Sequence, residues 1–152
     1  MWIVQIIGKK EPRRYKMSLE EFIKENSVSM TKNLVDESMI AQAEEQLGVS
    51  FGAQLKEYIL KYGYLSYEYA ELYGMNSNEG LKSDLVEQTK YLHQYYPVTE
   101  HYIAIENRGE GDYFLVDQSD KVFEYDTDQE KLVSLDCQLF DYIVKRFESI
   151  KE

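Results

Sequence analysis

Apolar residues recur every three or four positions through much of the first 62 residues, the spacing of helices that bury one face. The capping-box pattern of Ser18 and Glu21 predicts that a first helix begins there and runs to about Asn26. After a polar connector, Asp36 can cap a second helix, and Gly48 stands where that helix would end in left-handed backbone. The pattern therefore predicts two short amphipathic helices with defined ends.

Six tyrosines lie between residues 55 and 74, where the apolar period changes from helical to alternating. Helical spacing holds from about Ala53 to Gly63, and the missing Cβ of Gly63 suits a positive φ angle at the joint. Alternation then predicts a strand, or a pair of short strands, that ends at Gly74. Tyrosine suits a partly buried junction between a helix and a strand, because it can bury its ring while its hydroxyl stays in water. The alternative interpretation is that these tyrosines form an exposed aromatic binding face.

The second half of the chain is predicted to place a sheet between two helices. Apolar spacing predicts a helix from about Leu81 to Tyr96, and Pro97 prevents its continuation. Short alternating or apolar runs separated by turn residues then predict a series of strands. They lie near residues 102–106, 113–116, 121–125 and 132–135. A final apolar stripe predicts a helix that begins near Gln138.

Together these elements predict a single α+β domain, with N-terminal helices, an antiparallel or mixed sheet meander, and a C-terminal helix packed on the sheet. At the start of the chain Trp2, Val4 and Ile6 alternate with their neighbours. We therefore expect residues 1–16 to hold an edge strand and a basic link, and residues 17–152 to hold the main domain.

Acidic charge is the most distinctive bulk property of the chain. Its 28 acidic and 17 basic residues give a formal net charge of −11, and the stretch from Glu106 to Glu130 alone holds nine acids and two bases. Such a surface repels phosphate backbones and attracts basic proteins, so we expect no nucleic-acid partner. The alternative interpretation is that the acidity only keeps the protein in solution.

The composition also predicts a soluble, cytoplasmic protein. No stretch approaches the roughly 18 apolar residues that a membrane helix needs, so we expect no membrane association. The first seven residues are apolar except for Gln5, but positive charges follow them, whereas a secretory signal places its charges in front. Cys137 is the only cysteine, which excludes an intrachain disulfide.

Candidate catalytic and metal-binding motifs fall short of the patterns that their chemistry requires. His93 and His101 have no cysteine cluster around them, so no zinc site is expected. Residues 126–137 begin like a calcium loop, but Lys131 replaces the glycine at its sixth position and Cys137 replaces its final glutamate. We therefore expect no metal, no cofactor and no enzymatic activity, and the sequence favours a binding function.

The order of the predicted elements resembles that of a known family. The matching stretches are AEEQLGVSFGAQLKEYILKYG at 43–63, ELYG at 71–74, LVEQTKYLHQYYP at 85–97, YIAIENRGEGDYFLVDQSDKVFEYD at 102–126 and FDYIVKRF at 140–147. Their order and spacing resemble the SUKH superfamily, which contains yeast regulators of cell-wall assembly and bacterial immunity proteins that neutralise polymorphic toxins. Gly52 departs from the proline that is usual in the family, and we expect this to loosen the start of the third helix. The opening MWIVQIIGKK resembles the subgroup that accompanies LXG-type toxins.

This resemblance implies a cytoplasmic immunity protein that masks the basic active-site surface of a cognate toxin, which we expect to be a nuclease. The alternative is an intracellular adaptor or regulator of the yeast type. We expect a monomer or weak dimer whose toxin-facing surface combines acidic residues of the β region with two tyrosines. The predicted surface residues are Glu110, Asp112, Asp117, Asp120, Glu124, Asp126, Asp128, Tyr67 and Tyr69.

Overall fold

The computed structural model describes residues 17–31, 35–75 and 81–151. Within these ranges five α-helices and two antiparallel sheets form one α+β domain, which confirms the predicted fold class. The helices are α1 (Leu19–Glu25), α2 (Glu37–Leu47), α3 (Ala53–Tyr62), α4 (Leu85–Tyr95) and α5 (Leu139–Lys151). The strands are β1 (Ser29–Met30), β2 (Leu65–Tyr67), β3 (Ala70–Glu71), β4 (Ile103–Asn107), β5 (Asp112–Val116), β6 (Lys121–Asp126) and β7 (Lys131–Gln138).

The ends of the first two helices are determined by local side-chain contacts, as the sequence predicts. The Ser18 hydroxyl accepts a hydrogen bond from the Glu21 backbone N–H, and the Glu21 carboxylate accepts one from the Ser18 N–H. The Asp36 carboxylate accepts from the Met39 N–H at 2.9 Å, and Gly48 adopts left-handed backbone with φ of 72°. Both caps satisfy N–H groups that have no partner inside the helix.

The predicted helix over residues 81–96 is shorter than expected. Leu81–Ser83 form a 3₁₀ turn, and α4 begins only after Asp84, whose carboxylate accepts from the Glu87 N–H at 2.8 Å. The Asp84 cap therefore starts the α-helix one turn later than apolar spacing indicates. Pro97 follows the helix and opens a second 3₁₀ turn, Pro97–Thr99.

The first sheet has the order β1–β2–β3, and its strands β2 and β3 come from the tyrosine-rich stretch, whose first part belongs to α3. Its β2–β3 hairpin confirms the predicted pair of short strands, and Gly63 before it has φ of 73°. Strand β1 was not predicted, because two residues are too few to show alternation. Five of the six tyrosines are buried, which supports the interpretation of this stretch as a structural joint. These five are Tyr58, Tyr62, Tyr64, Tyr67 and Tyr73.

The second sheet is an antiparallel meander in the order β4–β5–β6–β7. Strand β7 forms one edge and is longer than the four residues predicted for it. Its pairing with β6 shifts register between Lys121 and Phe123, and Asp136 within β7 has a positive φ of 57°. Such irregularities twist a strand and make its outer edge a poorer template for pairing with other chains.

Helices α4 and α5 cover opposite faces of the second sheet. On one face Tyr125 packs against Tyr96, at the end of α4, with ring centroids 5.7 Å apart. On the other face Phe114 stacks on Tyr142 of α5 at 5.4 Å. Because side chains alternate along a strand, neighbouring residues of β5 and β6 point towards different helices. Both faces of the second sheet are therefore buried, each against a helix.

The predicted edge strand and basic link of residues 1–16 lie outside the described residues and stay a prediction. Within the part of the chain that the structure describes, no helix has the length and apolar character needed to cross a bilayer.

Candidate protein-binding surface

Five of the predicted acidic residues are brought together at one end of the second sheet. Asp112 and Asp126 lie directly opposite each other on β5 and β6, and Glu124 is two residues away on the same face. Glu110 lies in the exposed β4–β5 turn and Asp128 in the exposed β6–β7 turn. Both turns are at this end of the meander. We call this group of five residues the acidic end.

Two carboxylates of the acidic end lie close enough to perturb each other. A hydrogen bond between the carboxyl groups of Glu124 and Asp112 is the chief cause of a raised Glu124 pKa, with partial burial and the Asp112 charge adding to it. The Asp112 Oδ1 atom is buried and has no hydrogen-bond partner among the described residues. The pair therefore carries repulsion that a cation from a partner would relieve.

Glu124→Gln should therefore raise the free energy of unfolding at neutral pH by about 0.5 kcal/mol. This is the size of the repulsion between like charges on adjacent strands, after a reduction for solvent screening. A carboxyl with a raised pKa binds more protons in the folded state, so its repulsion is lost as the pH falls through that pKa. Urea denaturation at pH 7 should show the gain, and the same measurement near pH 4 should show less of it. An equal gain at both pH values would contradict carboxylate repulsion as its cause.

Asp117 and Asp120 lie at the opposite end of the sheet, in the turn between β5 and β6. Asp117 Oδ1 accepts hydrogen bonds from the Ser119 and Lys121 N–H groups and so closes this turn. Asp120 is only 5% exposed, and its carboxylate accepts from the backbone N–H groups of residues 54 and 55 at 2.9 and 3.0 Å. We therefore remove Asp120 from the proposed partner surface.

Asp120 also explains the glycine at position 52. A Cβ atom at Gly52 would overlap the Asp120 carboxylate, and Gly52 itself supplies no side-chain cap to α3. The expectation that Gly52 loosens the start of this helix is wrong, because a residue from the second sheet caps the helix instead. The negative carboxylate also suits the positive end of the helix dipole.

The two tyrosines of the predicted surface lie in different environments. Tyr67 is buried in the core, where its ring meets Phe22 edge-on at 5.2 Å and Phe147 at 5.4 Å. A buried ring cannot anchor a partner, so Tyr67 is also removed from the proposed surface. Tyr69 lies in the β2–β3 turn and is 76% exposed, with the Arg146 guanidinium 5.8 Å from its ring centroid.

An open groove of about 400 Å³ runs between the second sheet and α5, close to Tyr69. Asp112 and Glu124 line its sheet side, and Lys145 and Arg146 line its helix side. Arg108 also lines the groove, with its guanidinium stacked 4.2 Å from the centroid of the Phe114 ring. The groove thus presents charges of both signs, and its acidic side is continuous with the acidic end.

A buried ionic network, which the sequence does not reveal, holds the basic side of the groove in place. Glu106 is 1% exposed and accepts hydrogen bonds from the Tyr142 hydroxyl and from Arg146 Nε, the latter at 2.8 Å. Arg108 donates to the Tyr142 hydroxyl at 3.0 Å. Burial and then the Glu106 charge raise the Tyr142 pKa, so this hydroxyl keeps its proton and donates to Glu106. The only sequence signal is one glutamate that follows the apolar run YIAI.

The two histidines and Cys137 are the remaining candidates for chemistry. His93 Nε2 lies 2.8 Å from the Tyr102 carbonyl oxygen, whereas His101 is exposed. Cys137 is half-buried in β7. In the described ranges no three His, Cys, Asp or Glu side chains are grouped so that they could hold a metal ion. The acidic end, the groove and Tyr69 therefore form the candidate site, and their exposed charges suit contact with another protein.

Comparison with protein families agrees with this architecture. The family model described as SMI1-KNR4 cell-wall, SUKH_5, matches residues 15–147. The chain therefore belongs to the SUKH superfamily, which covers immunity proteins and relatives of the SMI1-KNR4 type and whose members bind partner proteins. No curated protein matches the chain significantly.

Proposed function

We propose that this protein is a cytoplasmic immunity protein that binds and neutralises a cognate bacterial toxin, a nuclease of the polymorphic class and of the LXG type. It acts without catalysis, by masking the basic active-site surface of the toxin. The family membership supports a protein as the partner, and the acidic end supports a partner whose contacting surface is basic. The protein binds neither nucleic acid nor membrane, and it acts as a monomer or weak dimer.

The observation that carries this proposal is the arrangement of five carboxylates on two adjacent strands and the two turns that flank them. A nuclease needs a basic cleft to hold phosphates, and a folded surface of carboxylates can occupy the same cleft. Such complementarity chiefly accelerates association, because the long-range field guides the two proteins together before they touch.

Charge reversal at the acidic end should therefore slow binding to a cognate toxin domain, which is sought among the proteins encoded by neighbouring genes. Glu110→Lys with Asp128→Lys is the preferred variant, since Asp126 Oδ1 accepts from the backbone N–H groups of residues 128 and 129 and is needed for the turn. At low salt the association rate constant should fall about 10-fold. The difference should shrink at physiological ionic strength, where the Debye length is about 8 Å.

A matched control reverses Glu25 and Glu45, which are exposed on α1 and α2 and change the net charge by the same amount. Stopped-flow or surface-based kinetics over a salt series would compare the two variants, beside a test of growth rescue on co-expression. An equal loss in both variants would show that total charge, and not the acidic end, guides association. Failure of the wild-type protein to bind or rescue would instead favour an adaptor or regulator of the SMI1-KNR4 type.

A further inference from the structure

The groove between the second sheet and α5 carries opposite charges on its two walls. The strand wall presents the carboxylates of Asp112 and Glu124, which lie on the face of the sheet that packs against α5. The helix wall presents Lys145 and Arg146, which are consecutive residues of α5. A ligand in this groove therefore meets charges of both signs.

The groove also has an apolar lining. Phe114 of β5 and the β7 residues Leu135 and Cys137 contribute to it from the sheet, and Tyr142 contributes from α5. The rings of Phe114 and Tyr142 are stacked with their centroids 5.4 Å apart. Such a lining suits the aliphatic part of a long charged side chain, which buries its methylene groups against apolar surface while its charged end reaches a polar group.

The helix wall has donors available for an anion. Arg146 Nε donates to the buried Glu106 carboxylate at 2.8 Å, and the Arg146 side chain is only 12% exposed. Its terminal Nη nitrogens donate to no described residue, although the Tyr69 ring lies near the guanidinium. Lys145 is exposed and forms no ion pair within the described part of the chain. Arg146 is therefore already held in place and loses little side-chain freedom on binding an anion.

The strand wall lacks a cation to balance its two carboxylates. Asp112 Oδ1 is buried and has no hydrogen-bond partner among the described residues. The Arg108 guanidinium donates to the Tyr142 hydroxyl and lies 3.7 Å from the Glu106 carboxylate. A hydrogen bond with Asp112 chiefly raises the Glu124 pKa, and the Arg108 charge only partly offsets this effect. A further cation beside the two carboxylates would relieve the repulsion that remains.

We propose that the groove binds a segment of the toxin that carries one acidic and one basic side chain. The acidic side chain meets Lys145 and Arg146, and the basic side chain meets Asp112 and Glu124. This inference rests on the proposed function and adds to it. The toxin surface is basic where it faces the exposed turns of the acidic end, but it presents a carboxylate to the groove.

The shape of the groove favours side chains of a protein over a free zwitterion such as an amino acid. Sites for small ligands enclose most of the ligand surface, whereas this groove is open. At about 400 Å³ it is also too small for a whole helix, which with its side chains is about 10–12 Å across. A second copy of this chain is disfavoured as the occupant, because each chain carries a formal net charge of −11.

Lys145→Glu distinguishes binding in the groove from general attraction between an acidic and a basic protein. The substitution makes this chain more negative, so long-range attraction alone predicts equal or faster association and no faster dissociation. A toxin carboxylate at Lys145 predicts instead that dissociation becomes about 10-fold faster, because like charges then meet inside the interface. Lys56→Glu, at an exposed position on α3, changes the net charge by the same amount and should not speed dissociation.

Glu124→Gln should speed dissociation about 3-fold, although it is expected to stabilise the free protein. The substitution relieves the repulsion with Asp112 but removes one contact for the basic side chain of the toxin. A variant that is more stable and yet dissociates faster has not lost binding through damage to its fold. Urea denaturation beside the kinetics gives the stability of each variant.

The kinetic measurements use a catalytically inactive form of the toxin domain that is found among the neighbouring genes. Faster dissociation of Lys145→Glu and Glu124→Gln, with Lys56→Glu unchanged, supports the groove as a binding site. If Lys145→Glu dissociates no faster than Lys56→Glu while the Glu110 and Asp128 reversals still slow association, the groove is overturned and the proposed function stands. If the wild-type protein does not bind the toxin domain, both proposals fall.

Sedimentation velocity tests the occupant without any toxin. Wild-type protein and Lys145→Glu should sediment identically over a concentration series, because the groove receives side chains of another protein. A concentration-dependent wild-type dimer that Lys145→Glu loses would overturn the proposed occupant and identify a second copy of this chain instead.

Discussion

Glu106→Ala should lower the free energy of unfolding by about 3 kcal/mol. The substitution removes the acceptor for the Tyr142 hydroxyl and for Arg146 Nε, both from α5. Breaking a buried ionic network costs more than one hydrogen bond, because the groups left behind are uncompensated in the interior. Equilibrium urea denaturation measures the change directly.

Two further variants test whether the cost belongs to the network. Glu106→Gln keeps the shape and a carbonyl acceptor but loses the charge, so it should destabilise the protein less than Glu106→Ala. Tyr142→Phe in the background of Glu106→Ala should cost less than Tyr142→Phe alone, since the two groups share one hydrogen bond. Additive costs in this double-mutant cycle would contradict a direct coupling.

Asp120→Ala should lower the free energy of unfolding by about 2–3 kcal/mol. Its carboxylate is buried, caps the N-terminus of α3 through two backbone N–H groups, and thereby ties the β5–β6 turn to that helix. Asp120 also has a positive φ of 65°, which asparagine and aspartate tolerate better than alanine. The loss therefore combines an uncapped helix with strained backbone.

Asp120→Asn is the matched variant, since it keeps one acceptor oxygen and tolerates the same backbone. It should cost clearly less than Asp120→Ala in thermal or urea denaturation, and it should leave association with the toxin domain unchanged. Slower association with Asp120→Asn, without loss of stability, would return Asp120 to the partner surface.

Elements whose ends depend on neighbouring residues were predictable from the chain alone. Ser18 and Asp36 cap helices that begin within three residues of them, and Gly48 ends a helix by its own backbone geometry. Gly63 similarly marks the joint between α3 and β2. Each of these signals acts over one helical turn, so no knowledge of the tertiary structure is needed to interpret it.

The candidate site was predictable only in part. Charge counting identified the acidic segment between Glu106 and Glu130 and predicted seven of its nine acids to lie on one partner surface, without distinguishing exposed from buried carboxylates. Strand register divides them: Asp112 and Asp126 share the acidic end, Asp120 is buried at the opposite end, and Glu106 lies in the core. A run of like charges therefore contains surface residues, a helix cap and the centre of a buried network.

The sequence alone determined the fold class, most helix boundaries, the acidity and the lack of any recognisable catalytic motif, because these depend on composition and on contacts between near neighbours. Only the tertiary structure decided that Asp120 caps a helix some 65 residues away, that Tyr67 is buried while Tyr69 is exposed, and that Asp112 and Asp126 are paired across two strands. The reason is physical: long-range contacts follow from how the sheet and helices pack, and one residue of strand register moves a side chain from core to surface.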